Sequence, residues 1–164
     1  MKIRDASPAD HPFVMEIYHD EVLNGVGTFD LEPLSDEKQR AWLAPHTASR
    51  YPLTVAEEGG RIAGWGSLKP WSDRRAYARS AEISVYVHRD CRGRGVARSL
   101  LMDLLERARE GGIVVLIARI AAENKASRAL FGRAGFQSIG MMRRVGEKFG
   151  RVLDVELLDL HLDS

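Results

Sequence analysis

The chain has 164 residues, of which 45% are apolar and 29% are charged, and its formal net charge is +1. This composition is typical of globular proteins, and the small net charge excludes the general attraction by which strongly basic proteins bind nucleic acid or membranes. The length predicts one domain over residues 1–164, with enough sequence to bury a core.

Few metal-binding or crosslinking residues are available. Cys91 is the only cysteine, which excludes an intrachain disulfide and a four-cysteine zinc site. The five histidines lack metal-ligand spacing, so we expect no metal. The first ten residues lack the apolar core of a signal peptide, and the longest purely apolar run, Ile113–Ala118, is too short to cross a bilayer. We therefore expect a cytoplasmic protein.

The first half of the chain contains helix and hairpin signals. In Ser7-Pro8-Ala9-Asp10, a capping serine, an early proline and an acid three residues after the cap predict a helix start. The glycines of Glu58-Gly59-Gly60 predict a hairpin turn. The predicted elements are a strand at Lys2–Asp5, helices from Ser7 to about Leu23 and from Ser35 to about Ala44, and strands at Leu53–Glu57 and Arg61–Lys69.

The second half alternates strands and helices. Ala81–Val87 has strict alternation, with Glu82, Ser84 and Tyr86 on the polar face of a half-buried strand. The later predicted elements are an amphipathic helix that ends at Gly111-Gly112, a strand buried on both faces at Ile113–Ile120, a helix at Asn124–Ala134, and strands at Phe136–Arg143 and Arg151–Leu162 joined by Gly146–Gly150. The order βααβββαβαββ predicts an α/β fold with helices on both faces of a mixed, mostly antiparallel sheet.

The stretch Cys91–Leu101, CRGRGVARSLL, places two glycines and three arginines where a loop becomes a helix. Unpaired N–H groups and the positive end of the helix dipole favour anions there, and glycines allow phosphate oxygens to approach the backbone. The segment lacks the lysine of a P-loop, and Arg98 occupies the last glycine position of a dinucleotide fingerprint. A solvated turn with capping glycines is the remaining alternative.

Two motifs distinguish these alternatives by their context. Arg92-x-x-Gly95-x-Ala97 lies directly between the alternating strand and the amphipathic helix, and Asn124-x-x-Ser127 opens the next helix. This combination resembles the GNAT superfamily of N-acetyltransferases, whose R/Q-x-x-G-x-G/A motif binds the pyrophosphate of acetyl-CoA. The predicted element order resembles that fold over almost the whole chain, and the resemblance therefore implies acetyl-CoA as co-substrate.

A narrower set of short motifs resembles the phosphinothricin and methionine sulfoximine acetyltransferases. It consists of Thr28-Phe29, Pro70-Trp71, Arg74, Ala76-Tyr77, Ala81-Glu82, Val85-Tyr86-Val87 and Gly146-x-Lys148-Phe149-Gly150-x-x-x-Asp154. The resemblance implies transfer of an acetyl group to the amino group of a small amino-acid-like substrate. It also implies a homodimer whose protomers both contribute to the acceptor site.

The resemblance assigns the coenzyme site to the backbone of the strand end, the loop with the helix start, and the next helix start. These residues are Val85, Tyr86, Val87, Arg92, Gly93, Arg94, Gly95, Val96, Ala97, Arg98, Asn124 and Ser127. The same resemblance suggests Phe29, Trp71 and Tyr77 as walls of the acceptor pocket and Arg74 as the binder of an anionic acceptor group. As structural alternatives, Asn124 and Ser127 are ordinary helix-start residues.

Glu82 is the predicted general base. Amines are mostly protonated at neutral pH, so a nearby carboxylate can accept a proton directly or through water. At about 3.3 Å per residue, Glu82 lies roughly 16 Å along the strand from Val87, a span comparable with an extended pantetheine arm. The alternative is a buried glutamate that serves only to pair with a neighbouring arginine.

Two residues depart from the family pattern. Phe131 stands where relatives carry tyrosine or histidine, and phenylalanine cannot protonate a departing thiolate. Val152 replaces a tryptophan. The departures leave two alternatives open, acetylation of a peptide N-terminus or other amine, and a coenzyme A-binding module without turnover.

Overall fold

The computed structural model describes residues 1–47 and 50–162. The helices are α1 (His11–Asn24), α2 (Asp36–Leu43), α3 (Val96–Glu110) and α4 (Lys125–Arg133). The strands are β1 (Lys2–Asp5), β2 (Leu53–Glu58), β3 (Arg61–Pro70), β4 (Ser80–Val87), β5 (Val115–Ala121), β6 (Gln137–Lys148) and β7 (Arg151–His161).

Seven strands form one sheet in the order β1-β2-β3-β4-β5-β7-β6. Within the described ranges, β4 and β5 form the parallel pair and all other neighbouring strands are antiparallel. The structure therefore confirms the predicted α/β class, the element order and the mixed, mostly antiparallel sheet.

Side chains that alternate along the strands build a core on each face of the sheet. On one face, Ala81 and Ile83 pack with Leu104 of α3 and Phe131 of α4. On the other face, Trp65 packs with the buried side of α1 and with Trp42 of α2. Because both faces are covered, period-two alternation in β4 separates two buried environments rather than core from solvent. The prediction that this strand is half-buried was therefore wrong, although its position was correct.

The parallel pair is short, and this positions the functional site. Ser80–Glu82 pair with Val115–Ile117, and beyond Glu82 the two strands have no further pairing among the described residues. β4 continues along β3 as far as Val87, whereas β5 continues along β7 as far as Ala121. A wedge therefore opens between β4 and β5 just after Glu82.

The start of α1 has the predicted capping arrangement. The backbone N–H and the hydroxyl of Ser7 donate to the carboxylate of Asp10 over 2.7 and 2.8 Å. A short 3-10 turn at Pro8–Asp10 leads into α1. In the described part of the chain, no helix is long and apolar enough to span a membrane.

Two further strand predictions were wrong. β5 was expected to be buried on both faces, but Arg119 is exposed because the wedge leaves that part of β5 without a β4 neighbour. β6 was expected to end at Arg143, but it continues to Lys148 through a register shift between Met142 and Gly146. Arg144 takes a positive φ of 55° in this bulge, and its N–H donates to Asp154 over 2.7 Å.

Candidate active site

A cavity of about 950 Å³ fills the wedge between β4 and β5. Its walls come from the splayed strand ends, the start of α3 and the start of α4. All twelve predicted coenzyme residues except Arg94 line it, namely Val85, Tyr86, Val87, Arg92, Gly93, Gly95, Val96, Ala97, Arg98, Asn124 and Ser127. The fold thus brings together three segments that are separate in sequence.

The loop before α3 gives the cavity an anion-binding end. Gly93 and Gly95 have φ of +75° and +80°, a left-handed conformation that favours glycine. A Cβ at either position would face open space, so the backbone is accessible from the cavity. The N–H groups of the first α3 turn have no intrahelical acceptor and carry the positive end of the helix dipole.

The three arginines of Cys91–Leu101, two in the loop and Arg98 in the first turn of α3, differ in their contacts. Arg92 Nη2 lies 3.2 Å from the Glu21 carboxylate at the end of α1, and both residues line the cavity. Arg94 lies 3.5 Å from Glu58 and does not line the cavity. Arg98 lines the cavity. Arg92 and Arg98 are therefore the arginines placed to contact an anion there.

The edge of β4 supplies backbone hydrogen-bonding groups. On its β3 side, β4 is paired through Val87, but on its β5 side the described residues provide no partner beyond Glu82. Buried backbone groups need hydrogen-bond partners. An extended ligand that carries amide groups would provide them along Val85–Val87.

The start of α4 completes the cavity. The side-chain oxygen of Asn124 accepts a hydrogen bond from the N–H of Ser127 over 3.2 Å, so Asn124 caps the helix. Both residues also line the cavity. The capping role and a ligand contact are therefore compatible.

Glu82 lies where the two strands separate. Its side chain is 10% exposed, and it is outside the cavity lining. Arg119 donates to both carboxylate oxygens, with Nη2 at 2.9 Å from Oε1 and 2.7 Å from Oε2, and Nε at 3.2 Å from Oε1. Lys69 Nζ lies 3.5 Å from Oε1. Oε2 has only one of these contacts, so it keeps capacity to accept another hydrogen bond.

Arg119 connects Glu82 to the cavity. Its side chain lines the cavity, and its guanidinium carbon lies 5.8 Å from the centre of the Trp71 ring. Arg119 was missed at the sequence level, although it is the only charged residue in the apolar run Ile113–Ala122. A charged residue within an apolar run was the feature of the sequence that could have identified Arg119 as a candidate site residue.

The predicted acceptor residues lie outside the cavity lining. Phe29 is half-buried and packs against the backbone of Gly146, where there is no space for a Cβ. Trp71 is half-buried beside Arg119, whereas Arg74 and Tyr77 are exposed. The side chain of Arg74 has no hydrogen bond or ion pair with any residue in the described ranges.

A network of hydrogen bonds holds the loop that carries Phe29. Lys148 is 2% exposed and donates to the carbonyl of Thr28 over 2.8 Å, and burial lowers the pKa of its ammonium group. The Tyr86 hydroxyl donates to the carbonyl of Gly27 over 3.1 Å. Burial raises the pKa of this hydroxyl, which keeps it protonated as a donor.

Glu21 joins this loop to the coenzyme motif and was also missed at the sequence level. One carboxylate oxygen contacts Arg92, and the other accepts from the N–H of Gly27 over 2.8 Å. Nothing in the local sequence distinguishes Glu21 from the other acids of α1. Its role follows from tertiary contacts alone.

Phe131 faces both the core and the cavity. It is 5% exposed, its ring packs edge-on against Phe136 at 5.0 Å between centroids, and it lines the cavity. This position supplies an apolar surface and no proton.

Comparison with known proteins identifies the family. The model of the Acetyltransferase (GNAT) family matches residues 5–136. The L-methionine sulfoximine/L-methionine sulfone acetyltransferase of Pseudomonas aeruginosa is 39% identical over 162 residues, which cover 98% of this chain and 94% of that protein. The phosphinothricin N-acetyltransferase of Alcaligenes faecalis is 34% identical over 163 residues, which cover 99% of this chain and 83% of that protein.

Solved structures support the same assignment. An acetyltransferase from Salmonella typhimurium, determined with its cofactor acetyl-CoA, has a TM-score of 0.95 and 35% identity, and the match covers 100% of this chain and 95% of that one. A ribosomal-protein-alanine N-acetyltransferase from Brucella melitensis has a TM-score of 0.94 and 38% identity, and the match covers 99% of this chain and 100% of that one.

These findings confirm the predicted family resemblance, and the glycine loop, the open β4 edge and the cavity fit acetyl-CoA. The chain therefore belongs to the Acetyltransferase (GNAT) family and is an acetyl-CoA-dependent N-acetyltransferase.

Proposed function

We propose that this chain acetylates the α-amino group of a small amino-acid-like acceptor of the phosphinothricin or methionine sulfoximine type. The names of the relatives at 39% and 34% identity support this substrate class. The observation that carries the proposal is the position of Glu82, a carboxylate with a 10% exposed side chain at the point where β4 and β5 separate.

Glu82 is the general base in this proposal. Acetyl-CoA supplies an acetyl group activated as a thioester. The uncharged amine forms a C–N bond with the acetyl carbon, the C–S bond of the thioester breaks, and coenzyme A leaves as its thiolate. Glu82 Oε2 has one hydrogen bond from Arg119 and can accept a proton from the amine, directly or through a water molecule. Positioned general bases contribute about 10²–10⁴-fold to the rate.

The coenzyme is held along the cavity by the predicted residues. The N–H groups at the start of α3, with Arg92 and Arg98, bind the pyrophosphate. The backbone of Val85–Val87 pairs with the amides of the pantetheine arm, and Asn124 and Ser127 add polar contacts. This arrangement directs the arm along β4 towards Glu82.

The acceptor site lies on the side of the sheet that carries Glu82, with Phe29 and Trp71 as walls. Arg74 and Tyr77 are exposed, so one protomer leaves this side open. The edge strand β6 carries exposed apolar side chains at Ile139, Met141 and Val145. We propose that a second copy covers this edge and completes the acceptor site, as expected from the family resemblance.

Two alternatives need to be tested. The similarity to a ribosomal-protein-alanine N-acetyltransferase favours a peptide N-terminus as the second candidate acceptor. Phe131, which cannot protonate a thiolate, motivates a coenzyme A-binding module without turnover.

The test is thiol release from acetyl-CoA with a panel of phosphinothricin, methionine sulfoximine, methionine sulfone, free amino acids and short peptides with alanine at the N-terminus. We expect turnover with the amino acid analogues. Turnover with peptides alone would contradict the proposed acceptor class. Calorimetric binding of acetyl-CoA without turnover of any amine would support the binding module instead.

A further inference from the structure

Three adjacent strands, with the residue that follows β3, bring three side chains together around Glu82. Lys69 of β3 is directly opposite Glu82 of β4 in the sheet, and Arg119 of β5 reaches the same carboxylate. The Trp71 ring lies against the Arg119 guanidinium at 5.8 Å. The cluster therefore contains one anion, two cations and an aromatic wall.

The charge of this cluster is not balanced. The Glu82 carboxylate has two cationic partners within 3.5 Å, so the three groups together carry one excess positive charge. Glu82 has a 10% exposed side chain, whereas that of Arg119 is 47% exposed and lines the cavity. The Lys69 side chain is 43% exposed but does not line the cavity, so the positive charge that faces the cavity is that of Arg119, where a substrate anion would be stabilised.

The hydrogen bonds of Arg119 leave part of its guanidinium free. Nε and Nη2 donate to Glu82, and Nη1 has no partner among the residues that the structure describes. A guanidinium has five N–H donors in a planar fork and binds carboxylates through more than one edge. Arg119 can therefore hold Glu82 and a second carboxylate at the same time.

An α-amino acid has the complementary arrangement of groups. Its amino and carboxyl groups are attached to the same carbon, so the protein groups that bind them must lie side by side. Glu82 and Arg119 are side by side, at 2.7 Å between Oε2 and Nη2. An amino group at Glu82 therefore places the α-carboxylate of the same molecule next to Arg119.

We propose that Arg119 binds the α-carboxylate of the acceptor and so selects free α-amino acids over amines that lack this group. This inference rests on the proposed function, because it places the acceptor's amino group at Glu82. It also differs from the assignment of Arg74 as the anion binder, since Arg74 lies outside the cavity lining, whereas Arg119 lines the cavity and contacts Glu82.

The test compares acceptors that differ only in the carboxylate. kcat/KM is measured for methionine sulfone and for its α-amide, with the wild-type protein and with Arg119→Gln, Arg119→Lys and Arg74→Gln. The readout is the ratio of kcat/KM for the acid to that for the amide. The matched control is Arg151→Gln, which breaks a bidentate pair with Glu123 at 2.7 and 2.8 Å away from the cluster.

We expect the ratio to fall on the order of 10- to 100-fold in Arg119→Gln, because a hydrogen-bonded charge pair with the acid is lost and the amide makes no such pair. In Arg119→Lys the ratio should fall less, since lysine keeps the positive charge but lacks the planar set of guanidinium donors. Arg151→Gln should not change it. Calorimetry of each acceptor with the coenzyme A complex should show the same pattern without turnover.

Other outcomes separate this inference from the proposed function. Equal losses for acid and amide in Arg119→Gln would mean that Arg119 only supports Glu82, and they would overturn the inference. A ratio that falls in Arg74→Gln and is kept in Arg119→Gln would overturn it as well. If the wild-type protein acetylates neither compound and binds neither in the calorimeter, the proposed acceptor class is wrong, and with it the inference.

Discussion

Glu21 bridges the Arg92-x-x-Gly95-x-Ala97 motif and the loop that carries Phe29: one carboxylate oxygen lies 3.2 Å from Arg92 Nη2, and the other accepts from the N–H of Gly27 over 2.8 Å. Arg92 is thereby held at the cavity wall by a side chain from the end of α1. Two segments that are 71 residues apart in sequence share one ion pair. Because Glu21 already orders the Arg92 side chain, less conformational entropy is lost when an anion binds to it.

Arg92→Ala should weaken coenzyme A binding, because the proposed charge-assisted contact to the pyrophosphate would be lost. The expected loss is about 1.5–3 kcal/mol, or roughly 10- to 100-fold in Kd at low salt, and it should shrink as salt screens the charge. Isothermal titration calorimetry at several salt concentrations measures it. The control is Arg89→Ala, which removes a neighbouring arginine that pairs with Asp20 and does not line the main cavity.

Gly95→Glu tests the same site through the backbone. Gly95 has φ of +80° and faces open space, so a glutamate there is strained and also places a carboxylate at the proposed phosphate site. We expect a larger loss of coenzyme affinity than in Arg92→Ala. Calorimetric affinity equal to that of the unmodified protein in both variants would refute the assignment of the loop.

Glu82→Gln should lower kcat/KM by about 10²–10⁴-fold and alter its pH dependence, because glutamine cannot accept the amine proton. Coenzyme affinity should be retained, since Glu82 is outside the cavity lining. The control is Glu156→Gln, another buried glutamate that pairs with an arginine, Arg128, and that also lies outside the cavity lining. Unchanged kinetics at all pH values in Glu82→Gln would exclude the general-base role.

Much of this arrangement was predictable because it depends on local patterns. Alternation in Ala81–Val87 gave the strand and the face of Glu82, and the capping residues Ser7 and Asp10 gave the start of the first helix. The glycines of the loop before α3 indicated an approach for anions. These features need only neighbouring residues, so a single sequence contains them.

The rest required tertiary information. Arg119 meets Glu82 because parallel pairing of β4 and β5 stops after Glu82, and nothing in either strand's own sequence states that register. The extension of β6 depends on a bulge in which Arg144 takes a positive φ that its residue type does not favour. Glu21 and Gly27 likewise meet through a turn whose shape the surrounding packing sets.

Ile139→Lys combined with Met141→Lys should convert a dimer into a monomer. Both side chains are exposed on the edge strand β6, at 55% and 42%, so the charges should be tolerated by the single protomer but not in an apolar interface. Light scattering measures the mass, and the KM for the acceptor should rise if the partner completes that site. Exposed Phe13 on α1, which does not line the cavity, offers the control Phe13→Lys. A monomeric unmodified protein with full activity would contradict the proposed dimer.

Asp10→Asn should destabilise the protein in a pH-dependent way. The Asp10 carboxylate accepts from Arg4 over 2.7 and 3.0 Å and from Ser7, and the bonds from Arg4 are the largest cause that holds its pKa well below the usual range. A carboxyl group with a lowered folded-state pKa stabilises the fold above its unfolded pKa of about 3.9 and loses that contribution as the pH falls towards the folded value. Urea unfolding should therefore show a loss of about 1–3 kcal/mol at pH 7 that shrinks below about pH 4.

The control is Asp73→Asn, on an exposed loop, which should change the free energy of unfolding by less than about 0.5 kcal/mol. A difference between Asp10→Asn and the unmodified protein that stayed constant down to pH 2 would show that ionisation of Asp10 is not its source.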